Sequence, residues 1–194
     1  MKKYNLTAIF CLIVISCSLP PDPGSIPSTV DKSIIMPLKV GNNWKYKVTI
    51  IDTVKKETTI DTLTVAIQNE VIIKSEKWFV ENIGGAYINR SNGLWYVANL
   101  NDTTFMAKYP ATVKDTFSAH SFYQSLFTVI SVDSSIHTFA GTFSCYVYKN
   151  SDSNGMSVDC YSPGIGLISR DAFLVSSYST SFYLKWELIS YNIY

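Results

Sequence analysis

Few residues in this sequence have the side-chain types and spacing that catalysis requires. Histidine, the usual general base near neutral pH, occurs only at His120 and His137. Neither belongs to a nucleophile or metal motif, because the chain has no Gly-x-Ser-x-Gly, His-Glu-x-x-His or paired Cys-x-x-Cys segment. We therefore expect both histidines to be structural or exposed. The sequence predicts that the protein is not an enzyme, with no catalytic residue and no cofactor.

The segment 150–155 has the composition with which a calcium-binding loop begins. Oxygen-bearing side chains stand at the alternate positions Asn150, Asp152 and Asn154, and a glycine follows. However, Asp152 is the only charged residue among them. Tyr161 also occupies the position where a bidentate Glu would complete the loop. We interpret the segment as a polar hairpin loop and predict no metal site.

Two of the four cysteines, Cys145 and Cys160, flank this loop. A four-residue loop at 151–154 would place them directly opposite each other, where a cross-strand disulfide is feasible. A tight turn at Asn154-Gly155 would instead place Lys149 opposite Cys160 and separate the sulfur atoms. An even pair of cysteines favours the disulfide if the chain is exported, and two small buried thiols are the alternative.

Aromatic residues make up 14% of the chain and could line an apolar cavity. The alternative is that they pack across the strands of a sheet. The residues predicted to line such a cavity are Trp44, Tyr46, Trp95, Tyr146 and Trp186. Further tyrosines that could contribute are Tyr87, Tyr96, Tyr123, Tyr148 and Tyr161.

Alternation of apolar and polar residues is the dominant pattern of the elements that would position these side chains. It is clearest at Trp44-Tyr46-Val48-Ile50, at Leu63-Val65-Ile67 and at Phe182-Leu184-Trp186-Leu188. One apolar face and one solvated face are typical of antiparallel sheets. Helix is sparse: Asp31 could cap a short turn, and 114–125 is ambiguous.

Turn residues predict how some of these strands pair. Asn92-Gly93 is a strong two-residue hairpin signal, which would set Ser91 opposite Leu94 and Ile88 opposite Val97. A second turn at 101–102 would then set Val97 opposite Met106. The sequence therefore predicts a three-stranded meander over 86–108.

The first sixteen residues have the three parts of a secretory signal peptide. Lys2 and Lys3 provide the positive start, and an apolar stretch over 6–15 is too short to span a bilayer. Val14-Ile15-Ser16-Cys17 resembles the lipobox of bacterial lipoproteins. That resemblance implies cleavage after residue 16 and acylation of Cys17. A plain secreted protein is the alternative.

The segment 17–30 is rich in proline, which favours extended and semi-rigid chain. We interpret it as a tether between the lipid anchor and a domain over 31–194. In the lipoproteins that the signal resembles, a serine after the cysteine is compatible with sorting to the outer membrane. The resemblance therefore favours the outer over the inner membrane.

The charge of the predicted mature chain gives no sign of a nucleic-acid partner. Removal of Lys2 and Lys3 from the sixteen basic residues leaves fourteen, against fifteen acidic residues. The mature protein is therefore close to neutral, and no Lys/Arg cluster stands out.

Three segments of the predicted domain resemble a loose group of uncharacterised envelope lipoproteins. They are the Gly-Asn-x-Trp opening at 41–44, the Ala-Gly-Thr-Phe segment at 140–143 and the Pro-Gly-x-Gly-Leu turn at 163–167. The resemblance implies a curved, mostly antiparallel sheet and brings no catalytic residues. Gly141 and Gly164 suit positive φ or tight turns, and Gly166 suits a bulge.

Together these features predict a single all-β domain: a strongly curved antiparallel sheet or incomplete barrel with little helix. Our leading hypothesis is a lipid-anchored, non-catalytic envelope protein that binds an apolar ligand or an envelope partner in the concave side of the sheet. A structural or assembly subunit of a surface complex is the second hypothesis. A hydrolase with an unrecognised arrangement of Asp, Glu or Ser is the third.

Overall fold

The computed structural model describes residues 30–99, 102–119, 125–152, 155–175 and 181–194. The predicted signal peptide, Cys17 and all of the tether except Val30 lie outside the described residues, as do His120 and Tyr123. The predictions made for them stay predictions.

The described residues form twelve β-strands and no helix. The strands of the first half of the chain are β1 (Asn43–Asp52), β2 (Glu57–Ile73), β3 (Glu76–Glu81), β4 (Ala86–Arg90), β5 (Gly93–Asn99) and β6 (Asp102–Lys108). Those of the second half are β7 (Thr116–Ala119), β8 (Ser125–Thr138), β9 (Gly141–Asp152), β10 (Gly155–Ser162), β11 (Gly166–Val175) and β12 (Ser181–Asn192).

All twelve strands belong to one antiparallel sheet made of two meanders. The strand order is β6-β5-β4-β3-β2-β1-β12-β11-β10-β9-β8-β7, so that the first and last strands pair in the middle. The two edge strands approach each other, with the rings of Phe105 and Phe117 4.8 Å apart and a 2.9 Å ion pair between Lys108 and Asp115. The result is a nearly closed, barrel-like sheet, which confirms the predicted fold class.

The long strand β2 bends the sheet. Its first part pairs with β1 and its second part pairs with β3, and a bulge separates Ile67 from Asn69. Because a bulge bends its strand and increases the local twist, strands β3 to β6 turn back over the face that carries Trp44, Tyr46 and Val48. We call this the inner face.

One end of the inner face is covered by the chain that precedes β1. Ile35 and Met36 are buried there against Trp44, whose indole N–H donates to the carbonyl of Ile165 at 2.6 Å. Asn89 donates to the carbonyl of Met36 at 2.8 Å, and the backbone N–H of Gly164 donates to Ile34 at 2.8 Å. We call residues 30–42 the N-terminal cover.

The predicted positive φ values of Gly141 and Gly164 are confirmed, at +128° and +76°. Gly166 has a φ of +105°, but the bulge predicted for it lies farther along β11, between Leu167 and Ser169. Asp31 begins a turn, as its carboxylate accepts the backbone N–H of Ser33 at 2.9 Å, but no helix follows among the described residues. The segment 114–125, for which the sequence left helix and strand open, contributes strand β7.

The meander over 86–108 is confirmed, but its predicted register is wrong. Arg90 lies opposite Gly93, so the turn is at 91–92 and Ile88 faces Trp95 rather than Val97. Gly93 is required inside the strand, because a Cβ atom there would lie 2.0 Å from the carbonyl oxygen of Ala107 on β6. Val97 faces Thr103 rather than Met106, since β5 and β6 pair through bulges.

The predicted register of the cysteine hairpin is also wrong. Asp152 lies opposite Gly155, which places Val147 rather than Cys145 opposite Cys160. The sequence allowed Cys145 or Lys149 opposite Cys160, and the residue midway between them, Val147, occupies that position. Both thiols are free and buried in this structure, so the predicted disulfide is not formed. Burial raises the pKa of each thiol, which keeps it protonated.

Candidate binding site on the inner face

A row of side chains crosses the inner face from β9 to β1. The register sets Tyr148 opposite Asp159, Asp159 opposite Arg170, Arg170 opposite Trp186, and Trp186 opposite Val48. Directly opposed residues point to the same side of a sheet. Four successive strands therefore deliver a phenol, a carboxylate, a guanidinium and an indole to one line on the inner face.

Asp159 and Arg170 form a two-pronged ion pair within this row. Nε of Arg170 lies 2.7 Å from one carboxylate oxygen of Asp159, and a terminal nitrogen lies 2.8 Å from the other. The Asp159 side chain is 3% exposed, whereas that of Arg170 is 26% exposed. The Asp159 carboxylate raises the pKa of Arg170 and outweighs the opposing effect of burial. The arginine is thus a fixed cation whose charge is matched locally.

Glu81 brings a second carboxylate to the interior from the opposite part of the sheet. It lies at the end of β3, opposite Ile67, and is 5% exposed. Burial raises the pKa of Glu81 to about 7, and the nearby Tyr87 hydroxyl and Arg170 guanidinium offset part of that effect. Among the described residues, no group hydrogen-bonds Oε2 of Glu81.

Phenols surround these charges. Burial raises the pKa of Tyr46, Tyr87 and Tyr161, so each stays neutral and can donate a hydrogen bond. The hydroxyl of Tyr46 donates to the carbonyl of Leu167 at 2.9 Å. Tyr46 is thereby held in place, and its ring is available to pack against Trp186, 5.5 Å away between centroids.

Trp186 connects the charged row to the apolar part of the site. The guanidinium carbon of Arg170 lies 5.8 Å from its ring centroid, within cation–π range. Its indole N–H is buried, and no acceptor for it exists in the part of the chain that the structure describes. Buried N–H groups almost always have an acceptor, so this donor and Oε2 of Glu81 are the two unsatisfied groups of the site.

The inner face is filled at one end and partly open farther along. Next to the N-terminal cover, Trp44 is 0% exposed and Tyr46 is 2% exposed. The inward-pointing apolar side chains closer to the charged row are only half-buried, although they pack against the same core; they are Leu63, Phe79, Leu184 and Trp186. We call these four the apolar rim. A partly exposed apolar rim above a buried polar cluster is a typical arrangement for a small-molecule binding site.

The aromatic residues predicted from the sequence fall into three places. Trp44, Tyr46 and Trp186 lie together on the inner face. Tyr146 is half-buried against Tyr109, with the ring centroids 5.1 Å apart. Trp95 packs instead in a second, smaller cluster around Trp78.

Sequence analysis missed the charged members of the site. In β10, Met156, Val158 and Cys160 alternate with polar residues, so alternation assigns Asp159 to the solvated face. Arg170 lies in β11, whose sequence shows no clean alternation. Glu81 ends a short strand, where an exposed carboxylate is the ordinary expectation. The signal that could have identified these residues is a charged side chain that points inward. That signal can be recognised only when the strand registers are known.

The described residues contain no group of three or more His, Cys, Asp or Glu side chains that could hold a metal ion. His137 is exposed on β8, where Nδ1 lies 2.7 Å from the Thr142 hydroxyl. Across the described ranges we also find no helix long and apolar enough to cross a membrane.

Comparison with known proteins identifies the fold. No protein-family model matches the chain, and no curated protein matches it. The chain is similar to a crystal structure of a protein with a YmcC-like fold, provisionally described as exported, from Bacteroides fragilis NCTC 9343. The two are 13% identical with a TM-score of 0.51, and the similarity covers 83% of this chain and 100% of that one. This similarity shows a shared fold.

A crystal structure from Parabacteroides distasonis ATCC 8503, of a protein provisionally described as a lipoprotein, is also similar. It is 14% identical with a TM-score of 0.41, over 82% of this chain and 99% of that one.

Proposed function

We propose that this protein is a lipid-anchored envelope protein whose β-rich domain binds an apolar ligand and catalyses no reaction. The observation that carries this proposal is the half-buried apolar rim on the inner face, beside two buried polar groups without partners. A fully packed core would bury the rim and satisfy those groups. Ligand binding would do both.

The location in the envelope is supported by the signal peptide and the lipobox at 14–17. The provisional description of the Bacteroides fragilis protein with the same fold as exported agrees with it. Val30, where the tether meets the domain, lies beside Gly164 at the covered end of the inner face. The anchor would therefore hold the domain by its closed end and leave the rim accessible. We propose the outer membrane rather than the inner membrane, from the serine that follows Cys17.

Titration with a neutral fluorescent naphthylamine probe tests the binding function. We expect the wild-type domain to bind the probe and Leu63→Trp to weaken binding at least tenfold, because the larger ring would fill the space beside the rim. Thr58→Trp is the matched control, since Thr58 is exposed on the same strand, facing outward. Absence of binding by the wild type, or equal binding by both variants, would refute the proposal.

An outer groove supports a second candidate function, that of an assembly subunit of a surface complex. The tip of the β8–β9 hairpin approaches β1, β2 and β12 there and leaves a cavity of about 410 Å³. Ile60 and Phe139, which line it, are each 62% exposed. Mild crosslinking at native abundance tests this function: a defined protein partner would support it, and a protein that stays solitary would exclude it.

A further inference from the structure

We infer that the inner-face site takes a single-chain amphiphile whose head group donates hydrogen bonds and carries no negative charge, such as an alcohol or an amine. This inference rests on the proposed binding function and specifies its ligand class. Its basis is the juxtaposition of Oε2 of Glu81, the Asp159–Arg170 pair and the apolar rim.

A half-buried arginine first suggests the opposite ligand, a fatty acid or another anion. The geometry argues against that choice, because Nε and one terminal nitrogen of Arg170 already hold both oxygens of Asp159. The positive charge is therefore matched within the protein. A carboxylate ligand would have to compete with an aspartate that is better placed and almost fully buried.

The unmatched charge of the site is negative. Asp159 and Arg170 cancel, and above its pKa of about 7 Glu81 adds a negatively charged carboxylate that faces the same interior. No cationic side chain of the described residues forms an ion pair with Glu81. The charge of Glu81 would repel the carboxylate of a ligand, whereas an ammonium group would neutralise that charge and a hydroxyl group would donate a hydrogen bond to it.

Hydrogen-bond complementarity points to the same class of head group. Oε2 of Glu81 is a buried acceptor without a donor, and Nε1 of Trp186 is a buried donor without an acceptor among the described residues. A hydroxyl group can satisfy both kinds of partner, and an ammonium group can satisfy the carboxylate. The tail of the ligand would extend along Leu63, Phe79 and Leu184, whose exposed surface it would remove from water.

The test compares three eight-carbon probes, octylamine, octanol and octanoate, with the full chain below their critical micelle concentrations. The readout is the shift of the Trp186 indole resonance, assigned with Trp186→Phe. We expect octylamine and octanol to shift it, and octanoate to bind at least tenfold more weakly than octylamine at pH 8.

Glu81→Gln is the decisive variant. Its matched control is Glu57→Gln, which makes the same substitution at an exposed carboxylate on β2. We expect the preference for octylamine over octanoate to fall at least fivefold in Glu81→Gln and to persist in Glu57→Gln. Octanoate binding as tightly as octylamine in the wild type would overturn the inference while leaving the binding function intact. If none of the three probes shifts the resonance, the proposed function fails with it.

Discussion

At the scale of the residue, two carboxyl groups and one guanidinium group lie among the phenols and apolar side chains of the interior, and they are accommodated in different ways. Asp159 and Arg170 neutralise each other through two hydrogen bonds. Glu81 has no such partner, and burial raises its pKa to about 7. The carboxyl group of Glu81 therefore changes its charge within the neutral range.

Glu81 gives the protein a pH-dependent stability. Because burial favours the neutral acid, the unfolded chain loses this proton near pH 4.5 and the folded protein near pH 7. The free energy of unfolding should thus fall as the pH rises through that window, by about 3 kcal/mol. Urea unfolding of wild type and Glu81→Gln at pH 4, 5.5, 7 and 8 measures the difference, which should stay constant outside the window. A difference that is flat from pH 4 to 8 would contradict this account of Glu81.

Removal of one member of the Asp159–Arg170 pair should lower the free energy of unfolding strongly, whereas replacement of both members by apolar side chains should lower it much less. Arg170→Met leaves a buried carboxylate without its partner, and we expect a loss of about 3–5 kcal/mol in the free energy of unfolding. The double variant Asp159→Leu/Arg170→Met removes both charges and should recover most of that loss. Denaturant titration measures the free energy of unfolding of both variants. A double variant less stable than Arg170→Met would contradict this prediction.

The sequence predicts the face of the sheet to which a side chain belongs where apolar and polar residues alternate cleanly. Alternation predicts one apolar strand face that carries Trp44 and Tyr46 and another that carries Trp186, and the structure puts all three on the inner face. Trp95 could not be assigned in the same way, because the curvature of β3 to β6 gives that part of the sheet a second apolar cluster on its other face. Periodicity identifies a face but does not say which cluster covers it.

At the scale of the element, glycines and bulges set the register. The sequence was sufficient to predict the meander and the cysteine hairpin, but both registers differ from the prediction. Gly93 and Gly155 look like turn residues, yet each begins a strand where a neighbouring backbone comes too close for a Cβ atom. That requirement arises from the third strand, which a two-strand argument does not contain.

Substitution of these glycines should separate close backbone approach from conformational strain. A Cβ atom on Gly155 would lie 1.9 Å from the carbonyl oxygen of Phe173 on β11, at a φ of +146°. We expect Gly155→Ala to cost about 3 kcal/mol from strain and overlap combined. Gly84→Ala is the control, with a φ of +105° but nothing within 4 Å, and it should cost about 1 kcal/mol. Thermal unfolding that affects the two variants equally would argue against close approach as the cause.

At the scale of the whole molecule, the two meanders and the N-terminal cover create an interior with one closed and one partly open end. Cys145 and Cys160 belong to its buried core. Their protection should therefore depend on global unfolding rather than on a covalent bond.

Thiol titration checks this claim. The native protein should react slowly with a thiol reagent, and the unfolded, unreduced mature protein should show two free thiols, since the sulfur of Cys17 would be joined to lipid. Reduction before unfolding should change nothing. A count of zero without reduction and two after it would establish the disulfide and exclude the register seen here.

Native mass spectrometry of the protein, gently extracted from its own membrane, can show whether a lipid-anchored chain carries an amphiphile on its inner face. We predict a mature chain that begins at an acylated Cys17 and retains a non-covalently bound small molecule, and we predict that Leu63→Trp loses the bound molecule but keeps the acyl chains. A wild-type protein whose mass is that of the acylated chain alone would contradict the binding claim, and an unmodified residue 17 would contradict the anchor.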